Sequence, residues 1–353
     1  MNQLTHSNLI KEYGPIVGIV LLGGGKILRQ ICLWAISQGV PVKVVTAARH
    51  ANESHDGEIL SDFLSRMRIS NLSVDDIADE KVKGFLGDTT SHFCLSLGAA
   101  WIFKEQVISD LFHNRLLNLH GTRLPQNRGG GGTSWQIMMG NKFGFCVLHR
   151  VDGGVDTGEL VAVDEFLYPA SARKPIDYDN TFLEKNLDFV INFIEDHRFE
   201  SKPVNSIQQS EYFSTYWPRL NTDINGWIDW SSDASEIERL ICAFDDNYSG
   251  AQTYLNGKRV RLKSVCLSPQ DGSFHSYQSG IIYRKGKKWL CVAVKGSTLV
   301  VEGIYDENGK DIFSTITIGD RFVTPRSVLD SATERPIYTP KGMKRRVFNI
   351  TME

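Results

Sequence analysis

The chain carries an amide and an imidazole one residue apart, in the stretch NLHGTRLPQNRGGGG that runs from Asn118 to Gly132. The preceding letters make RLLNLH an apolar core strand, and side chains two apart on a strand share a face. Asn118 and His120 therefore project together. A carboxamide offers a donor for a developing oxyanion, and an imidazole can take up a proton. That pair suits acyl transfer without a covalent intermediate, and no Ser or Cys nucleophile motif of the GxSxG kind occurs. An imidazole used in this way needs a carboxylate to orient it. The glycine-rich loop VDGGVDTGEL supplies two candidates, Asp152 and Asp156. Taken singly, His120 also reads as a structural histidine and Asp156 as a turn cap.

The elements around these residues set where they stand. PIVGIVLLGGG is a fully buried strand, ILRQICLWAISQGV a helix and VKVVTA a second buried strand, a unit that builds a parallel sheet. HFCLSLGAA and RLLNLH add two core strands, with the amphipathic FKEQVISDLF between them. GTSWQIMMG reads as a helix, FGFCVLHRV as a strand, and ELVAVDEFLY as a strand pairing back on it. Thr181-x-x-Glu184 has the form of a capping box opening a long helix. Residues 1–204 thus form a Rossmann-like α/β domain with a mostly parallel sheet. Asn118 and His120 fall at the carboxyl end of a core strand, where open α/β sheets bind ligands. Residues 205–225, aromatic and broken by Pro218, read as a linker. Residues 226–330 are short alternating runs with hairpin turns at Asn256-Gly257 and Asn308-Gly309, as in a small OB-like β domain. Residues 331–353 read as a solvated tail, basic through Lys341, Lys344, Arg345 and Arg346.

The glycines do not form a nucleotide fingerprint. After GGGKI the position that GxGxxG needs as glycine is Leu28, no acidic residue ends the second strand, and Lys26 is followed by Ile27 rather than Ser or Thr. The reading left is a tight strand-to-helix turn, with Gly24 as a candidate contact for a substrate phosphate at the helix N-terminus. The run Gly129–Gly132 says that backbone must come close to something before a helix begins. A net charge of −2 over 353 residues disfavours a dedicated nucleic-acid binder. No membrane-length apolar run or signal peptide is present, so a cytoplasmic protein is expected. None of the six cysteines forms a CxxC pair, and His50, His55 and Asp56 lack metal-ligand spacing, so buried reduced thiols and no metal are expected.

Joined together, NLHGTRLPQNRGGGGTSWQIMMGN and FCVLHRVDGGVDTGEL resemble the folate-dependent formyltransferase family. LSLGAAWIFKEQVI is similar to its pterin-receiving segment, and WPRLNTDING onward to the linker and C-terminal domain of its tRNA and aminosugar members. The resemblance implies Asn118, His120 and Asp156 as catalytic residues. It implies Ala100, Trp101, Ile102 and Phe103, with Asp152, Gly153, Gly154 and Val155, as contacts for N10-formyltetrahydrofolate. Thr122 stands where the family usually has Ser, Arg128-Gly129 match its Arg-Gly, and Arg219 aligns with a linker arginine suited to a diphosphate; Thr122, Arg128 and Arg219 are the implied substrate contacts. Arg123 departs from the family's usual apolar residue, and a proline after Arg-Gly is missing. His120-Gly121 resembles the enzymes that formylate UDP-linked amino-arabinose, where tRNA enzymes mostly have His-Pro. The expected acceptor is the amine of a dTDP-, UDP- or GDP-linked aminosugar of lipopolysaccharide or O-antigen synthesis, with a homodimer as one expected assembly. The alternatives are a methionyl-tRNA formyltransferase, a formyltetrahydrofolate hydrolase, and a non-catalytic homologue that only binds folate or nucleotide-sugar.

Overall fold

The computed structural model describes residues 11–130 and 132–344. The first ten residues, Gly131, and Arg345 and Arg346 of the basic tail lie outside the described residues. Seven strands make the central sheet: β1 (Gly18–Gly23), β2 (Val42–Thr46), β3 (Ser70–Ser73), β4 (His92–Leu97), β5 (Leu117–His120), β6 (Phe143–Arg150) and β7 (Leu160–Leu167). Their order is β7-β6-β5-β4-β1-β2-β3. From β5 to β3 the pairing is parallel; β6 and β7 close that edge antiparallel. β1 is buried at every position because both faces of the sheet are covered, which is why it reads as an unbroken apolar run. The chain steps from β1 to β2 on one side and later returns to β4 on the other. The crevice beyond the carboxyl ends of β1, β4 and β5 is therefore a switch point of the topology.

The long helix Pro175–His197 begins six residues before the expected capping box. Pro175 occupies the first turn, where its missing N–H is no loss. Asp177 accepts the backbone N–H groups of Arg173 and Lys174 at 2.8 and 3.0 Å, so the true cap is this aspartate rather than Thr181. The C-terminal part is a six-stranded antiparallel half-barrel with the helix Ala234–Ala243 against it. Asn256-Gly257 forms its predicted hairpin, with both residues at positive φ. The core beneath that sheet also takes in Ile137, Tyr168, Ala172 and Tyr178 from the first domain. Five cysteines are buried, and Cys266 is exposed, contrary to expectation. No helix among the described residues is long and apolar enough to cross a membrane.

Candidate active site

β5 carries Asn118 and His120 to its carboxyl end, paired on one side with β6, where His149 lies opposite Asn118. The loop between β6 and β7 brings Asp156 across to both. His120 Nε2 lies 2.8 Å from the Asn127 carbonyl oxygen and 2.7 Å from Thr122 Oγ1, and that hydroxyl is 3.0 Å from the same carbonyl. A carbonyl oxygen only accepts, so the network assigns a proton to Nε2, and the Thr122 hydroxyl also donates to Asn127. Nδ1 is then the bare nitrogen of a neutral ring, 3.7 Å from Asp156 Oδ2. Burial pushes the His120 imidazole below its ordinary value, against the opposing pull of Asp156.

Asp156 sits at φ 54°, with its own carbonyl held by Gln209 Nε2 at 2.9 Å. Its Oδ2 accepts the Gly129 N–H at 2.9 Å, and its Oδ1 is 3.4 Å from His149 Nε2. Burial alone would raise this carboxyl. Contact with His149, the charges both imidazoles carry once protonated in acid, and the Gly129 N–H together outweigh it and bring the group down to about 2. Asp156 is thus an anion at any working pH. His149 donates Nδ1–H to the Arg150 carbonyl at 2.8 Å, and its Nε2 meets the Asn118 amide nitrogen at 3.0 Å. His149 fixes which way the Asn118 amide points, and the second amide N–H makes only a long bond, 3.4 Å, to the Leu119 carbonyl, one that a ligand can replace.

These groups form the floor of one cleft of about 480 Å³. One wall is Ala100 to Phe103, the other Asp152, Gly154 and Val155. The rings of Trp101 and Phe103 are buried against each other, and the Trp101 indole donates to the Asp75 carbonyl at 3.0 Å, whereas Ile102 is 67% exposed. That wall is mainly backbone and Ile102. Gly153 is turned away from the cleft toward Glu105. Arg219 stands at the mouth.

Three expected substrate contacts are placed differently. Gly24 packs on His50, where an added Cβ would lie 2.8 Å from that side chain, and is not among the cleft-lining residues. Arg128 is buried, with Nη1 donating to both Glu211 oxygens at 2.9 and 2.7 Å and Nε reaching Gln209 at 3.2 Å. It braces the loop that presents Gly129. Thr122 stands on the far side of His120, lining a second, smaller cavity of about 210 Å³ with Trp135 and Phe182. His50, from the cluster with His55 and Asp56, pairs with Glu53 at 2.9 Å.

Two groups escape sequence reasoning. His149 hides in an apolar strand, and the only signal is its position two residues beyond Val147, which pairs with His120. Arg49, Arg335 and Tyr338 at the cleft mouth carry no local pattern at all.

Residues 222–315 match the family model described as "Formyl transferase, C-terminal domain". A methionyl-tRNA formyltransferase of Agathobacter rectalis is 31% identical over 198 residues, 55% of this chain and 61% of the relative. The chain spans about three fifths of the length of the curated relatives it first matches. Among solved structures, an N-formyltransferase from Helicobacter canadensis in complex with folinic acid and dTDP-3-aminofucose is 15% identical. It superposes with a TM-score of 0.60 over 81% of this chain and 99% of its own. A sugar 3N-formyl transferase solved with dTDP and 5-N-formyl-THF has the same TM-score at 16% identity, over 81% of this chain and 97% of its own. At such identities the likeness is one of fold. Together with the matched C-terminal domain and the sequence relatives, it makes the chain similar to formyltransferases in its C-terminal domain, in 55% of its sequence and in its fold.

Proposed function

We propose that the chain moves the formyl group of N10-formyltetrahydrofolate to the amine of a nucleotide-linked amino-deoxy sugar. The observation that carries the chemistry is the cleft floor: a bare imidazole nitrogen, an ionised carboxylate and an amide N–H held only by a long bond to the Leu119 carbonyl converge on one space. The neutral amine attacks the formyl carbon, and its oxygen becomes an oxyanion facing the Asn118 N–H. His120 Nδ1 takes the amine proton, and Asp156 attracts the imidazolium that results. The proton then passes to N10 as the carbon–N10 bond breaks, releasing tetrahydrofolate and the formamide. The folate pterin takes the walls formed by Ala100–Phe103 and Asp152–Val155.

For the acceptor, support comes from Arg219 in the cleft and from the net charge of −2. The fold-sharing Helicobacter canadensis enzyme was solved with dTDP-3-aminofucose. A second reading, methionyl-tRNA as acceptor, is favoured by the names of the sequence relatives. Incubation with N10-formyltetrahydrofolate and a panel of dTDP-, UDP- and GDP-aminosugars, beside initiator methionyl-tRNA and an acceptor-free control, separates them. A formylated sugar nucleotide is expected. Formylated tRNA would move the assignment to translation, formate without acceptor to a hydrolase, and no turnover to a binding protein.

A further inference from the structure

The segment expected to be a solvated tail instead crosses the mouth of the cleft. Ile337–Thr339 and Gly342–Lys344 form a hairpin. Its approach is fastened by Asn225, whose amide donates to the Ala332 and Glu334 carbonyls at 2.8 and 3.0 Å. The Tyr338 hydroxyl donates to the Leu220 carbonyl at 3.1 Å. On the opposite side the Pro340 carbonyl accepts the Arg49 N–H at 3.1 Å, and Lys341 pairs with Asp75 at 3.2 Å. The hairpin therefore spans from the linker to loops of the first domain.

Three guanidinium groups gather at this point. Those of Arg219 and Arg49 lie 4.7 and 5.7 Å from the Tyr338 ring centre. Arg335 sits over the Tyr216 ring at 5.1 Å and donates to its hydroxyl at 2.7 Å. All three line the cleft that has His120 and Asp156 on its floor. Among the described residues none of them is in an ion pair with a carboxylate. Burial and then the charge of Arg219 push the Arg49 guanidinium below its ordinary value, with Glu53 and Tyr338 pulling the other way. Three like charges at one cleft mouth, with Glu53 near but outside ion-pair distance, favour an anion among them. A compact group with several oxygens suits forked guanidinium donors best.

We propose that Arg49 and Arg219, on the Tyr338 ring of the C-terminal hairpin, and Arg335, on Tyr216, bind the diphosphate of the acceptor, so that the hairpin is part of the substrate site. This rests on the reading of the acceptor as a nucleotide-linked sugar. The test is calorimetric binding of dTDP, UDP and GDP, and of the matching monophosphates, to the full chain, with 5-formyltetrahydrofolate as the folate probe. At least one diphosphate should bind more tightly than its monophosphate. Arg219→Ala and Arg335→Ala should each weaken that diphosphate about tenfold or more and narrow its advantage over the monophosphate, while folate affinity moves by less than about threefold. Arg335→Lys should recover part of the loss, which a merely structural role would not predict. Diphosphate binding unchanged in both alanine variants would overturn the inference and leave the acceptor reading intact. Loss of folate binding with diphosphate binding retained would overturn it too, assigning the arginines to the glutamyl tail. A wild-type chain that binds no nucleoside diphosphate would sink the acceptor reading and the inference together.

Discussion

Two imidazoles flank one carboxylate on the cleft floor, and their outer hydrogen bonds give them different work. His149 uses Nδ1–H on the Arg150 carbonyl and turns Nε2 to the Asn118 amide, which makes it a positioning residue. His120 uses Nε2–H on the Asn127 carbonyl and keeps Nδ1 for the cleft. Asn118→Ala should lower kcat by about a hundredfold with little change in KM, because an oxyanion donor acts mainly in the transition state; steady-state kinetics on the active acceptor checks this. The pH dependence has a definite sign. His120 is held below its ordinary value of 6.5, so the neutral base persists as pH falls through 6.5, and kcat/KM should decline only further into acid. For stability, the unfolded chain takes up these protons before the folded one, so folding weakens as pH falls. His120 contributes just below 6.5. Asp156 contributes between 3.8 and about 2, with about 2 kcal/mol lost in that interval. Denaturant titrations down the acid range should show the second loss, and Asp156→Asn should remove it. That Asn118, His120 and Asp156 would meet was legible because their types and spacing suggest one chemistry, and the structure brings all three to one cleft. His149 was not, since a histidine facing the interior of an apolar strand has the pattern of a core residue.

At the scale of elements, glycines mark where segments touch. An added Cβ on Gly121 would sit 2.0 Å from the Phe182 ring of the helix Pro175–His197. The His120-Gly121 pair is therefore tied to an aromatic side chain packed over the loop. Gly121→Ala should destabilise the chain by about 1–3 kcal/mol through overpacking, and Phe182→Ala in the same chain should relieve part of that loss. Purely additive losses in a double-mutant cycle would show that the two do not meet. Six of the seven central strands were readable, whereas β3, Ser70–Ser73, was not, because SNLS carries no apolar run. The helix start was misplaced because Pro175 and Asp177 outcompete a capping box that lies inside the helix. The C-terminal hairpin was unreadable because what holds it, Asn225 and the Leu220 carbonyl, is more than a hundred residues away in sequence.

Across the whole molecule, two sheets share one body of packing. Ser134 donates to the Ala243 carbonyl at 3.0 Å, Arg173 bonds Glu238 at 2.6 Å and the Val265 carbonyl at 2.9 Å, and Lys174 pairs with the buried Asp245 at 3.2 Å. With first-domain side chains inside the second core, neither part can lose its packing alone. Calorimetry should accordingly record one cooperative unfolding transition; two resolved transitions would contradict the shared core. The composition break near residue 205 was visible in the sequence, whereas this shared core depends on contacts between distant segments that no local pattern encodes.

Gly129 ties these scales together. It lies at φ 95°, pairs in parallel through Arg128–Gly129 with Tyr216–Trp217, and an added Cβ would fall 2.3 Å from the Trp217 carbonyl oxygen. Its amide is also one of the bonds that keep Asp156 ionised. The seating of the linker is thereby written into the proton affinity of the carboxylate on the cleft floor. Should Tyr216–Trp217 lift away, the amide would drift and Asp156 would hold a proton more readily, so that a mechanical event outside the cleft registers as a titration within it.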